Sequence, residues 1–390
     1  MGSAVEQEIR DLIRGEGRIT FARFMDACLY SPRGGFYSAR GNRINAHFST
    51  SSTSHPVFGA LIARQLKQMW QLLGEPPVFH VVEVGSGDGA LARSIMDACR
   101  RTAPRFAEAL YYVAADYEPG LLQSPGIPFD WPSRVATPPG QDTVAAIQRV
   151  RSAGLGAFQN IVGCILCNEL IDNFPVHRFV IEDGRVREIF ITTAGEDFVE
   201  VLAEPSSPRI ASRLAGLGAS LPEGYRGEVN LAMEDWAGQV SGALDRGFVL
   251  AIDYGAMAGE LYSPDNARGT VVCFNRHAIS GDPYLDVGQQ DITCQVDFTS
   301  LRELGERQGL VTLGYTLQSR FLENLGFDEL LNALDTHGLP AARAELSRIA
   351  MMTLVESGEY GDFKVLAQAK GLGQDIELLG FRDASSEPSP

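Results

Sequence analysis

A doubly wound α/β fold is the architecture implied by the order of apolar runs in this chain. Four of them, at residues 78–84, 110–115, 161–167 and 248–252, are short and stop in polar or glycine-rich residues. Helical patterns lie between them, so the strands should run parallel and be joined by crossovers. The stops, Glu83 with the glycines after it, Asp116, Asn168-Glu169 and Asp253-Tyr-Gly255, all fall at strand carboxyl ends. Ligands of such sheets bind there, near the switch in strand order, so these residues are expected to converge.

Residues 1–77 read as a helical N-terminal region, interrupted by Ser31-Pro-Arg-Gly-Gly35 and by the Ser/Thr run at 49–54. Within it, residues 58–73 carry apolar side chains at helical spacing and end at Gly74 and Pro76. The expected core comprises 78–175 and 247–372, with a helix following the first strand to about Arg101. Residues 178–192 look like two strands joined by an Asp183-Gly184 turn, the start of a β-rich and helical insertion over 176–246 that includes a helix at about 229–245. A second insertion, rich in Gly, Pro and Asp, spans 256–296, and 373–390 form a tail whose Ser/Pro/Glu end is expected to be disordered.

Among 390 residues, 33 Lys and Arg stand against 49 Asp and Glu, a net charge of −16 without a local basic patch. Such a chain repels phosphate backbones and anionic membranes, which argues against nucleic acid and favours a cationic partner. Hydrophobic residues make up 45% of the chain, too many for a disordered one. No apolar run approaches the roughly 20 residues of a membrane span. The start carries acids and no apolar segment, so a secretory signal is not expected. Six scattered cysteines point to a reducing compartment and a cytoplasmic location. Cys164 and Cys167 form a CxxC, but on a buried strand they cannot gather round one ion, and no metal site is expected. No Gly-x-Ser-x-Gly elbow supports hydrolase chemistry.

The glycine-rich turn reads Glu83-Val-Gly85-Ser86-Gly87-Asp-Gly89. Such a turn lets the backbone approach a ligand closely, and the following helix adds N–H donors. Glu83 would repel a pyrophosphate but can accept hydrogen bonds from an ammonium group, and the turn lacks the Lys-Ser/Thr ending of a P-loop. Asp116 suits ribose hydroxyls, although it lies farther on than the usual dinucleotide fingerprint places its acid. The set points to S-adenosyl-L-methionine; a nicotinamide or flavin, or a purely structural turn, are the alternatives.

The segment Cys167-Asn-Glu-Leu-Ile-Asp-Asn-Phe-Pro-Val176 places two acids and two amides at a strand end. Methyl transfer needs a lone pair aimed in line at the sulfonium methyl, so positioning supplies most of the catalysis. Asn168 and Glu169 could orient that nucleophile, with Asn168 also facing the cofactor, and Glu169 with Asp172 could grip a guanidinium. The bland alternative is that these residues cap the following turn. His277 is a candidate base, and with Asp291 it could line the substrate mouth.

Together these segments resemble the MidA family, from about residue 17 to 372. The resemblance runs through Ile19-Thr-Phe-Ala-Arg-Phe-Met25, Leu29-Tyr-Ser-Pro32, Gly35-Phe-Tyr37, Phe58-Gly59, the Glu83 loop and Asn168-Glu-Leu-Ile-Asp172. It continues through residues 248–255, Arg268-Gly-Thr270, His277, Gln290-Asp-Ile-Thr293, Val296-Asp-Phe298, Gln318, Phe321-Leu322 and Gly361-Asp-Phe-Lys-Val-Leu366. It implies a Rossmann-like class I methyltransferase sheet and, from the mitochondrial members that assist respiratory complex I assembly, methylation of protein arginine. Thr50, beside the cofactor and acceptor mouth, joins the expected cofactor-binding residues. The chain departs from the family pattern at Ala46-His-Phe48, where Gly-Asp-Phe is usual, and at Thr50-Ser-Ser-Thr53, where Thr-Ser-Pro-Glu is usual. Ser86 replaces a proline and Asp116 a glutamate. A small-molecule acceptor and a non-catalytic, cofactor-holding assembly factor remain as rival expectations. Self-association into a homodimer is left open.

Overall fold

The computed structural model describes residues 3–38, 50–117, 147–152, 154–216, 221–275, 278–334, 340–373 and 375–382. A central sheet of seven strands is formed, in chain order, by β1 (Phe79–Val84), β2 (Leu110–Tyr117), β3 (Gln148–Ser152), β4 (Ile161–Asn168), β5 (Leu244–Asp253), β6 (Val311–Leu317) and β7 (Lys364–Lys370). Across the sheet they stand in the order β6-β7-β5-β4-β1-β2-β3. The five from β5 to β3 run parallel, whereas β7 is antiparallel to both neighbours, a reversal absent from the all-parallel expectation. The strand order switches between β1 and β4, which opens a crevice at their carboxyl ends.

Successive residues of a strand face opposite sides, and here both sides are covered. Cys164 and Leu166 enter one apolar cluster, and Ile165 and Cys167 the other. The two sulfurs of the CxxC therefore lie on opposite faces of the sheet. Helices α1 (Ala4–Glu16) and α2 (Phe21–Tyr30) precede the core, while α3 (Val57–Leu72) and α4 (Ala90–Thr102) cover the first face. On the second face lie α5 (Ala232–Ala243) and α6 (Phe298–Arg307).

A second, antiparallel sheet contains His177–Glu182, Arg185–Ala194, Asp197–Ala203 and Arg226–Val229. Its first turn is the one expected from sequence: Asp183 and Gly184 both have positive φ, 52° and 67°, as a two-residue hairpin requires. Ile19–Thr20 pairs with Arg185–Ala194, so the N-terminal region contributes a strand as well as helices. The buried faces of α1 and α2 pack with Ile191, Cys273 and Ile292, joining this region to both insertions. A three-stranded sheet of Val272–Asn275, Ala278–Ser280 and Asp291–Thr293 occupies the second insertion.

Two boundaries move. The helix expected within the 176–246 insertion is α5, which packs Met233, Trp236, Ala237 and Val240 against the central sheet and thus belongs to the core. The tail drawn from 373 contains Leu378 and Phe381, both buried against the first face of the sheet. Its Ser385–Pro390 end (residues 385–390) lies outside the described residues.

Near the amino end of β4, Gly163 stands between His80 of β1 and Gly247 of β5. Gly163 has φ of 154°, and a Cβ there would stand 1.9 Å from the His80 carbonyl oxygen. Replacing Gly163 with Ala should destabilise the protein by about 3 kcal/mol or more, from backbone strain and the clash together. Urea unfolding measures this, and an unchanged midpoint would refute the close approach of β4 to β1.

Candidate active site

β1 delivers Glu83 to the floor of a cavity of about 700 Å³ at the carboxyl ends of the strands. The turn that follows needs left-handed backbone: Gly85, Gly87 and Gly89 have φ of 75°, 51° and 78°. It is hung from β2, since the Gly85 and Ser86 amides both donate to the Ala115 carbonyl, at 2.9 and 3.2 Å. A Cβ on Gly85 would also meet Leu170 Cδ1 at 2.8 Å. Glu83 is buried, accepts a 2.7 Å hydrogen bond from Tyr112, and burial pushes its carboxyl up to about 7. Asp116 reaches the same cavity from the end of β2.

The β4 terminus is shaped by its neighbour. Asp253, 1% exposed at the end of β5, accepts through Oδ2 from the amides of Leu170, Ile171 and Asp172 at 3.1, 2.9 and 3.4 Å. Burial pushes this carboxyl, too, up to about 7, although the backbone donors pull it down. The turn places Glu169 at φ 50°, a left-handed conformation uncommon for a residue with a side chain. Glu169 Oε1 then accepts from the Ser51 amide (2.8 Å), the Ser51 hydroxyl (2.8 Å) and Asn168 Nδ2 (3.1 Å). Its other oxygen has no hydrogen bond among the described residues. Burial raises the Glu169 carboxyl above its ordinary range, and the Ser51 and Asn168 bonds oppose that rise.

Asp172 accepts from Tyr254 through Oδ2 at 2.7 Å, while its Oδ1 is buried without a hydrogen-bond partner among the described residues. Burial, reinforced by the charges of Asp253 and Asp291, holds this carboxyl well above the usual range. Asp291 comes from the second insertion. Its Oδ1 lies 3.0 Å from the Tyr37 hydroxyl and 2.9 Å from Asn173 Nδ2, and burial pushes it up to about 7. Tyr30 stacks on Tyr37 with ring centres 5.7 Å apart, and Phe274 and Phe363 add apolar wall. An unpartnered acid in this aromatic wall calls for a cationic or N–H-bearing ligand, because a buried acceptor left without a donor is costly.

Of the residues singled out in the sequence, Thr50, Glu83, Gly85, Ser86, Gly87, Asp116, Asn168, Glu169, Asp172 and Asp291 line this one cavity. Gly89 has a different place: it is the left-handed N-cap of α4, and its amide donates to the Ser86 carbonyl at 2.8 Å. His277 and the Ala46-His-Phe48 departure lie outside the described residues. The bland reading of 168–172 is partly met, since the turn is capped, but by Asp253 rather than by its own side chains. Sequence reasoning gave no role to Ser51, Tyr37 or Tyr112, and placed Asp253 and Tyr254 only among the strand-end residues expected to converge. Asp253 had a signal, being another acid at a strand end, and Ser51 sits inside the Ser/Thr segment already noted.

The cavity suits an adenosyl sulfonium cofactor. Ser86 Oγ is a buried hydroxyl at its wall without a partner among the described residues, the glycine turn leaves room for close approach, and Glu83 and Asp116 offer acceptors on adjacent strands. Comparisons with known proteins agree. A 26% identical mitochondrial protein of Drosophila melanogaster, named as a protein arginine methyltransferase (NDUFAF7 homolog), aligns over 95% of this chain and 85% of its own length. The corresponding protein of Homo sapiens is 23% identical over 86% of this chain and 76% of its own. The crystal structure of a likely methyltransferase from Burkholderia thailandensis, bound to S-adenosyl-homocysteine, superposes with a TM-score of 0.81 at 28% identity, covering 98% of this chain and 95% of that one. Residues 61–316 match the profile of the family described as "Putative S-adenosyl-L-methionine-dependent methyltransferase". That match spans more than half of the sequence, and the chain belongs to this family of S-adenosyl-L-methionine-dependent methyltransferases.

Proposed function

We propose that the chain N-methylates the guanidinium of an arginine on a protein partner. The observation that carries this reading is the pair of carboxylates, Glu169 and Asp172, each with one oxygen anchored by the protein and the other without a hydrogen-bond partner among the described residues. A guanidinium keeps its proton in water, with a pKa above about 12. Its nitrogen becomes a nucleophile only when the positive charge is drawn onto the other nitrogens. Two carboxylates gripping those nitrogens do this, and they fix the attacking nitrogen in line at the same time.

The bound cofactor would supply an electrophilic methyl group. Glu83 would receive its ammonium, Asp116 its ribose hydroxyls, and Asn168, which lies between Ser51 and Glu169, would face the reacting carbon. The proton released from the methylated nitrogen has acceptors at hand in Glu169 and Asp172, whose burial makes them better bases than exposed carboxylates. Tyr30, Tyr37 and Phe274 line the cavity, and aromatic rings in such a wall attract a cation. The names of the curated relatives point to the same acceptor. One observation favours a small cationic metabolite instead: Thr53 lines the cavity where the family pattern has an acid, so the mouth carries one carboxylate fewer to hold a peptide arginine.

Incubation with methyl-labelled cofactor and a cell lysate separates the two, because label enters either protein or the small-molecule fraction; label in neither would defeat both. Glu169→Gln should cut methyl transfer by roughly a hundredfold or more while leaving calorimetric cofactor affinity within about threefold, since it removes charge stabilisation at the acceptor alone. Asp172→Asn should act chiefly on the acceptor KM.

Stability should also depend on pH. The folded-state carboxyls of Glu83, Asp253 and Asp291 stand at about 7, above their unfolded values. The folded protein therefore holds more protons between those values, and its stability falls as pH rises towards about 8. Melting temperatures should decline from about pH 5.5 to about pH 8, and Asp291→Asn should flatten the decline. A flat profile in the parent protein would contradict the burial of these acids.

A further inference from the structure

Arg149 lies on β3, the polar edge strand, and its guanidinium grips the glycine turn from outside. Nη1 donates to the Asp88 carbonyl at 2.9 Å and Nη2 to the Gly87 carbonyl at 2.6 Å. Arg93, on α4, donates to the same Asp88 carbonyl at 2.6 Å. In a trans peptide the carbonyl and the next amide point opposite ways, so tying these two carbonyls sets the direction of the Asp88 and Gly89 N–H groups. The Gly89 amide, turned in this way, makes its bond to the Ser86 carbonyl.

We propose that Arg149 is a positioning residue for cofactor binding, acting through the glycine turn it clamps and through the electrostatic field at Glu83. Tyr112 and Asp116 of β2, Arg149 of β3 and Asp88 of the turn act on the Glu83 carboxyl, and β4 places Leu166 opposite it. Burial and the two aspartates raise this carboxyl, while the Tyr112 bond and the Arg149 charge lower it. The nearby cation thus keeps a larger share of Glu83 ionised near neutral pH. The inference rests on Glu83 receiving the cofactor ammonium, and the experiment tests that premise separately.

The full chain is titrated calorimetrically with S-adenosyl-L-methionine between about pH 6 and about pH 8, and each variant is compared with the parent at the same pH. The ratio is read because the cofactor's own amino group also loses its proton towards the upper end of this range, at about 7.7–8.0 for an ordinary α-amino group. Arg149→Ala should weaken binding about tenfold at neutral pH, as expected for lost hydrogen bonds to a charged group. Its deficit should shrink as pH rises, because Glu83 regains its charge. Arg149→Lys should keep the parent pH dependence yet bind more weakly, because an ammonium lacks the fork that bridges two carbonyls. In a Glu83→Gln background the Arg149→Ala deficit should no longer vary with pH. Parent-like affinity of both Arg149 variants throughout the range overturns the proposal. Parent-like affinity of Glu83→Gln alone instead removes the premise about the ammonium. Should Arg149→Ala fail to fold, as its melting curve would reveal, Arg149→Lys carries the test.

Discussion

The geometry of the active site depends on one buried carboxylate, that of Asp253, bonded to three consecutive backbone amides. These amides follow β4, where the chain must turn sharply out of the sheet, and without an acceptor they would be left unpaired in a buried place. The acceptor comes from β5, whose Ile252 stands beside Asn168 in parallel register. That register delivers the carboxylate directly beneath the turn. With the turn held, the left-handed Glu169 is tolerated, and its side chain meets Ser51. Tyr254, the residue just after β5, donates to Asp172. Two neighbouring residues at the end of one strand therefore organise the acids that follow another.

The cofactor side and the acceptor side of the cavity have different origins. Glu83, the glycine turn, Asp116 and Asn168 come from the carboxyl ends of β1, β2 and β4, so the central sheet places them as rigid parts. Tyr30 and Tyr37 come from the N-terminal region and Asp291 from the second insertion, which share an apolar cluster beneath the second sheet. On the proposed function, these added elements would bring Tyr30, Tyr37 and Asp291 to the acceptor side, beside Glu169 and Asp172 from the end of β4.

Electrostatics joins the two sides. Burial is the largest cause of the raised protonation of Glu169, Asp172, Asp253 and Asp291, and the Glu169 charge raises the three aspartates further. Like charges crowded in a poorly solvated space resist ionisation until a cation arrives. The overall charge of −16 is of the same sign and adds long-range attraction for cations.

Four of the five inner strands, β1, β2, β4 and β5, were legible because each is buried on both faces and reads as an apolar run; β7, the fifth, carries Lys364, Gln368 and Lys370 and was not. The Asp183-Gly184 turn was legible because local backbone chemistry demands such residues. β3 was not, since Gln148-Arg-Val-Arg-Ser152 is an edge strand with polar side chains, and nothing local marks it. The acids at strand ends were visible as candidates through their position alone. Their partners were not: Ser51 and Glu169 are 118 residues apart, and Tyr37 and Asp291 are 254 apart. Local sequence thus determined the parallel core, the cofactor turn and the list of candidate acids, because short-range periodicity and backbone conformation encode them. Only the tertiary structure decided which acids are bonded and which are left with a free oxygen, because that depends on registers and packings between segments far apart in the chain.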